Sequence, residues 1–439
     1  MNRFLKIIKN IVVYALIFAA AQALFLLFLI GVSKIPQDSV RENMCESADY
    51  LCEKPVFFHG AESVEDSWID RYADSITLNI AWNLGEGDTL TSVMLTEWNT
   101  SEYYDENTCF YATVNGMDYE GSEITQYLRY WHGSAAMIRF MHLFFNLKQI
   151  YIFNGILMGA LALVLIFLFV KRKLWDCIIA LAAGLAATSV WFVPMSLEYT
   201  WVYIITLAVM IAVVLLSKKD IKFSIGAVFV GAMLINYFDF LSAETLSLTV
   251  PLLLMMRLHF GERKSKNISS KAKIFTAVKC AIAWGAGYVL TWLCKWGMAA
   301  VILKENVMPY VSEHVAERLG AGDNSGIDES SPVLFVLHAL IRNIKSLFPL
   351  GYGILGVVAT IILVIVAAYI VFVYRKKGAD RTYILICLAI GLVPYIRYMV
   401  LLNHSYLHYF FTYRAQMATL MAVVLIISEI IGYRLKGRK

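Results

Sequence analysis

Charge is what this chain has least of: only 16% of its 439 residues are Asp, Glu, Lys or Arg, where water-soluble domains carry about a quarter. With 59% of residues apolar and 14% aromatic, a soluble enzyme, a nucleic-acid-binding protein and a disordered chain are excluded together. There is no tandem repeat, no low-complexity tract and no Gly-rich phosphate loop. Seven cysteines form no framework. Cys45, Cys52 and Cys109 fall in one loop, and Cys177, Cys280, Cys294 and Cys387 lie in or beside apolar runs. A disulfide between two of the first three is left open. The formal net charge of +5 acquires meaning only by position.

The apolar residues gather in runs near the length of about 20 that crosses a bilayer core. Candidate spans begin near residues 11, 150, 174, 200, 223, 245, 274, 351, 382 and 415, which predicts an all-α membrane protein of about ten transmembrane helices. Basic clusters stand at every second connection: Arg3/Lys6/Lys9, Lys171 to Lys173, Lys218/Lys219/Lys222, Arg257 to Lys273, Arg375/Lys376/Lys377/Arg381 and Arg434/Lys436/Arg438/Lys439. The positive-inside rule then puts both termini in the cytoplasm. The run from Ile11 to about Val32 contains the cleavage-like Ala21-Gln22-Ala23 but continues well past it, so it reads as an anchor. The expected organisation is a first span in 1–32, an acidic extracytoplasmic loop in 33–149, spans two to seven in 150–297, a second outer loop in 298–350, and the last three spans in 351–439. The span near 245 is short and carries Pro251, and the stretch Pro332 to Leu350 reads as an interfacial or re-entrant helix.

The first outer loop is long, with 19 acidic against 5 basic residues between Ser33 and Tyr130. Within it, Trp68, Tyr72, Ile76 and Ile80 recur at near-helical spacing, with Asp70 and Asp74 four apart on another face. Two such carboxylates repel. If they are buried, one keeps its proton to higher pH and suits general-base work; if exposed, they are a solvated acidic face. Further on, Tyr127 to Ile150 is dense in aromatics and holds Arg129, Trp131, His132, Arg139 and His142. An aromatic belt at the membrane interface explains the rings alone, and a hydrogen-bonded interfacial histidine explains His132.

Ionisable groups at the ends of spans are costly and default to functional candidates. Glu198, Asp239, Glu244, Lys295, Arg397, His404, His408 and Arg414 all fall toward the outer ends. His404 and His408 are four apart, so one helix face would carry both imidazoles. Three readings stay open for them: a divalent-metal site completed by the Asp pair, hydrogen bonding to a sugar or phosphate, or a structural role. Arg414 suits forked binding of a phosphate, or anchoring to a lipid headgroup. The stretch from Met298 to Pro332 offers an amphipathic segment with Val311, Val315 and Leu319 on one side and Glu313, Glu317 and Arg318 elsewhere, then a Gly/Asp/Asn/Ser-rich turn. It fits a lid over a lipid-borne substrate or a plain connector.

This pattern resembles the GT-C-type membrane glycosyltransferases: about ten spans, a large first outer loop carrying the acidic pair in "DRYADS", short cytoplasmic loops, and an interfacial helix before the last spans. The segments "RYWHG" (Arg129 to Gly133) and "NHSYLHYFFTYR" (Asn403 to Arg414) are similar to uncharacterised bacterial multi-spanning proteins. Members commonly keep the essential Asp close to the end of the first span, whereas Asp70 lies almost forty residues beyond it. The resemblance implies transfer of a sugar from a polyprenyl-phosphate donor to a glycan, lipid or protein acceptor outside a bacterial plasma membrane, with no nucleic acid involved. It implies Asp70 or Asp74 as base, and Arg414, with Arg129 or Lys295 as second choice, on the phosphate. Trp68, Trp131 and His132 would shape the sugar site. A transporter or flippase of a lipid-linked saccharide predicts instead charged residues midway along broken, paired helices. A non-catalytic assembly protein predicts Asp70 and Asp74 on an open surface.

Overall fold

A computed structural model of the chain describes residues 3–62, 64–261, 268–320 and 331–431. The basic cluster at 434–439, residues 262–267 of the cluster preceding Lys273, and the Gly/Asp/Asn/Ser-rich turn at 321–330 lie outside the described residues. Helix α1 (Arg3–Ser33) is followed by the long acidic segment, which is folded and mainly helical: α2 (Asp38–Cys52), α3 (Arg71–Asn83), α4 (Thr89–Leu95), α5 (Glu106–Val114) and α6 (Gly133–Met141). Two short antiparallel pairs brace it, β1 (Phe57–His59) with β2 (Trp68–Asp70), and β3 (Trp98–Thr100) with β4 (Glu123–Thr125). Cys45, Cys52 and Cys109 are free thiols.

The bundle continues with α7 (Leu147–Arg172), α8 (Trp175–Ala187), α9 (Thr200–Leu216), α10 (Ile221–Phe238), α11 (Leu246–Phe260) and α12 (Ser270–Leu303). Then come α13 (Met308–Arg318), α14 (Pro332–Ser346), α15 (Gly353–Tyr374), α16 (Arg381–Val400), the short α17 (Leu402–Leu407) and α18 (Tyr409–Thr412), and α19 (Met417–Ile431). Among the described residues seven helices are long and apolar enough to cross a bilayer, which makes this an all-α, multi-pass membrane architecture. The other three expected spans, α8, α9 and α11, have 13, 17 and 15 residues, short of the length a crossing takes. α14 packs Phe335, Ala339 and Asn343 inward and leaves Val333, Leu337 and Ile341 exposed, the pattern of a helix lying at an interface.

Helix α12 has 34 residues, about 51 Å at 1.5 Å per residue, against a hydrocarbon core of about 30 Å. It therefore overhangs the bilayer, and the acidic segment docks on the overhang. There Lys295 Nζ donates to Val93 O and Met94 O at 3.1 and 2.9 Å, satisfying the last carbonyls of α4. Inside the bundle Gln22 Nε2 donates to Thr291 Oγ1 at 3.1 Å, binding α1 to α12.

Candidate active site where the acidic segment meets the bundle

The periodicity around Asp70 predicts one helix carrying both carboxylates; the structure starts that helix three residues later. Trp68–Asp70 is strand β2, and Asp70 is the N-cap of α3, its Oδ1 accepting from Ala73 N at 2.9 Å. Aspartate is favoured there because its oxygen satisfies an amide with no helical partner. Asp70 and Asp74 are 2% and 0% exposed, so they are no solvated acidic face. Burial raises Asp70 to about 7, against the opposing pull of the Ala73 and Tyr72 amides. Burial also raises Asp74, to about 8.

The two acids differ in how their oxygens are used. Asp74 Oδ2 accepts from the Tyr151 hydroxyl of α7, and its Oδ1 accepts from Leu197 N at 2.7 Å in the α8–α9 connection. Both oxygens are committed to holding the acidic segment on the bundle. Asp70 gives only one oxygen to a local cap.

Two further carboxyls join them. Glu198, one residue after Leu197, is buried with Oε2 unpartnered; burial raises it first, and Asp70, Asp239 and Asp74 add to that. Asp239, at the end of α10, accepts from Ser242 N at 3.1 Å, and burial with nearby Glu244 raises it to about 7. Among the described residues of this cluster Glu244 has a direct cation: Arg397 Nε and NH2 each donate to it at 2.8 Å. Buried acids this close cannot all ionise, so the cluster retains protons at neutral pH.

Rings and cations complete the surround. His132 takes a left-handed backbone (φ 57°) at the start of α6. Its Nε2 lies 2.8 Å from Tyr127 O, its Nδ1 is buried without a partner, and its ring packs among Tyr127, Tyr130 and Phe240. Burial pushes it down to about 3, so it is neutral. Arg129 stacks over Tyr127 at 4.1 Å and donates to Tyr310 Oη at 3.2 Å, fastening α13 to this wall. At the end of α13, Arg318 acts electrostatically on Tyr72, Tyr130, Glu198, His404 and His408 together, which places its charge among them.

His404 and His408 have ring centroids 4.9 Å apart, and His408 stacks on Phe411. Burial holds both neutral, His408 down to about 3. The buried His404 Nδ1 is unpartnered. Among the described residues no three His, Cys, Asp or Glu side chains gather as metal ligands, so the histidine pair lacks a third member. Trp68 borders the same region, 6.4 Å from the Phe410 ring.

Asp70, Asp74, Trp68, Arg129, His132, His404 and His408 thus converge, along a chain of neighbours running through Glu198, Arg318 and Arg397. Arg414 lies beneath them: fully buried, it donates to Phe410 O at 2.8 Å and sits over Tyr199, which also feels Asp70 and Asp74. Trp131 and Lys295 lie in the seam with α12, the ammonium 5.8 Å from the indole centroid and near enough to His132 to disfavour its protonation. There Trp131 donates Nε1–H to Thr291 O at 3.0 Å. Glu198, Asp239 and Arg318 belong to the cluster, yet their sequence signal is only that of ionisable groups at span ends or on an amphipathic segment.

Two outcomes are expected here. Gly133 admits no Cβ, which would sit 2.2 Å from Tyr237, a ring stacked on Phe25 and tied to Phe25 O at 3.0 Å. Gly133→Ala should cost about 1–3 kcal/mol, the range of overpacked cores, read as a lower melting temperature in detergent. The second concerns pH. Asp70, Asp74 and Asp239 are raised from 3.8 to about 7, 8 and 7, so the folded state holds protons that the unfolded chain has released. Stability should rise as pH falls from 8 toward 4. Asp239→Asn should flatten that slope and melt higher than the parent at pH 8; an unchanged profile would place ionised acids in the cluster.

Comparison with known protein families, characterised proteins and solved structures finds no match to this chain.

Proposed function

We propose that the protein is a membrane glycosyltransferase of GT-C type, moving a sugar from a polyprenyl-phosphate carrier to an acceptor at the extracytoplasmic face of a bacterial plasma membrane. With α8, α9 and α11 counted as crossings the spans number ten, and the acidic segment lies outside. The observation that carries the reading is Asp70, a buried carboxyl held near 7 by its surroundings with one oxygen tied by a helix cap. A base poised near the working pH is the most effective kind. Asp70 takes the proton of the acceptor hydroxyl as that oxygen bonds to the anomeric carbon, and the bond from that carbon to the carrier phosphate breaks. Arg318 and Arg129 face the departing phosphate and stabilise its charge. Arg414, engaged with Phe410 O beneath Tyr199, supports the floor. Trp68 and Tyr127, both half-buried, offer the flat apolar surfaces that sugar rings stack on, with the buried Tyr130 and His132 behind them. No cofactor enters this scheme.

The test is to incubate purified full-length protein in detergent with a polyprenyl-phosphate sugar and a panel of glycan acceptors. Release of polyprenyl phosphate that depends on acceptor is expected. The buried acids Asp70, Glu198 and Asp239 also favour a second reading, proton-coupled movement of a lipid-linked saccharide. That reading predicts substrate-dependent proton flux in proteoliposomes without any cleaved carrier. An assembly protein would need the Asp pair on an open surface, and both are buried.

A further inference from the structure

At the opposite end of the bundle from the carboxyl cluster, α1 meets α10 mainly through Tyr14, whose ring packs edge-on against Phe229 at 5.0 Å. Its later half is packed, with Leu29 at 0% exposure, whereas Leu16 in its earlier half is 65% exposed. The gap is a groove of about 1500 Å³ between α1 and the faces of α9, α10 and α12. Small side chains keep it open: Ala208, Ala212, Gly226, Ala227, Ala283 and Ala286 line it. Along α10 it runs from Asp220 to Leu234, about 21 Å at 1.5 Å per residue, which exceeds one leaflet of a hydrocarbon core about 30 Å thick.

The groove is not uniformly apolar. Lys9, Lys222 and Lys279 line it against a single acid, Asp220, which pairs with Lys222 at 3.7 Å. All three lysines belong to the basic end, and long lysine stems reach the interface while their ammonium groups stay wet. Lys279 and Lys222 lie over Phe275 and Phe223, ring centroids 4.3 and 5.2 Å away. An apolar slot of leaflet depth with cations at one end matches a molecule with fatty chains and a negative head.

We propose that this groove binds an anionic phospholipid, its acyl chains between α1 and α10 and its phosphate at Lys9, Lys222 and Lys279. The site is separate from the carboxyl cluster and stands whatever reaction that cluster performs. Each lysine near an anionic headgroup contributes about fivefold, so the three together favour phosphatidylglycerol over phosphatidylcholine by tens of fold or more.

The test uses the full chain in detergent, with native mass spectrometry after exchange into equal phosphatidylglycerol and phosphatidylcholine of the same acyl chains. One retained lipid per protein is expected, predominantly phosphatidylglycerol. Replacing Lys9, Lys222 and Lys279 together by Ala should cut the preference to about twofold or less. The same change at Lys148, Lys171 and Lys304, away from the groove, should leave it intact. Gly226→Phe fills the groove from inside: a Cβ there meets only Tyr14 Oη, at 3.8 Å, so the helix accommodates it. That variant should lose the retained lipid while eluting as the parent does. Equal retention of the two lipids, or unchanged retention by Gly226→Phe, would overturn the proposal. Retention of polyprenyl phosphate in place of phosphatidylglycerol would overturn it as well.

Discussion

Replacing Asp70 by Asn is expected to lower acceptor-dependent release of polyprenyl phosphate by at least about a hundredfold, the contribution of a positioned general base, without unfolding the protein. Asn is also a good N-cap, so the bond from Ala73 N survives and the site keeps its shape. Asp74→Asn should fail differently. Above about pH 8, where Asp74 is ionised, it takes bonds from both Tyr151 Oη and Leu197 N, and an amide with its single acceptor leaves one buried donor facing another. The cost is about 1–3 kcal/mol of stability, seen as a lower melting temperature. Release measured beside a melting curve separates the two acids: a stable, inactive Asp70→Asn with a destabilised Asp74→Asn is the expected pair. Parental turnover by a well-folded Asp70→Asn would remove the base from the mechanism.

The largest effect on folding is expected from Arg397→Met. Its guanidinium makes two 2.8 Å bonds to Glu244, and both side chains are at most 6% exposed. Taking away the cation leaves a buried carboxylate beside Asp239, and breaking such a pair costs about 3–5 kcal/mol. Glu244→Gln in the same chain removes the stranded charge and should recover most of the loss. With Glu244→Gln measured alone as well, the departure of the double variant from the sum of the two singles is the coupling energy of the pair. If the double variant were no more stable than Arg397→Met, the arginine would be acting through its bonds to the Leu241 and Ser242 carbonyls instead.

Much of the architecture was legible because a bilayer imposes it. Runs of about twenty apolar residues and basic clusters between them mark helices whatever their neighbours do, and α1, α7, α12, α15, α16 and α19 fall where those runs do. The three short helices begin where their apolar runs begin, α11 at Leu246 against an expected start near 245, but hydropathy fixes composition and not length, so how far each extends is not read from it. Within the acidic segment, the spacing of Trp68 to Ile80 gave the helix but not its start, because an N-cap Asp and an interior Asp look alike until a partner for each is known.

The site was legible in part for the same reason. Asp70, His132, His404 and His408 announced themselves by type and company. Glu198 stood out only as one of several ionisable groups at span ends and Arg318 only as a charge on an amphipathic segment, because what makes them members is a long-range approach that no local period encodes. Arg129 carries cation–π contacts to its own neighbours Tyr127 and Tyr130 and a bond to Tyr310, 181 positions away; only the first kind of contact is visible in the chain. Lys295 shows the converse, an isolated charge in an apolar run that is spent on capping α4.

The bond from Leu197 N to Asp74 closes a loop of 123 positions, and that fixes an order of events during biogenesis. At ordinary translation speeds the ribosome needs roughly 6 to 25 s to make that much chain. Until then the region around α3 waits unfinished, with a carboxyl that has only its Tyr151 partner and not yet Leu197. Slowing elongation just before Leu197 would lengthen the time for which that contact is missing.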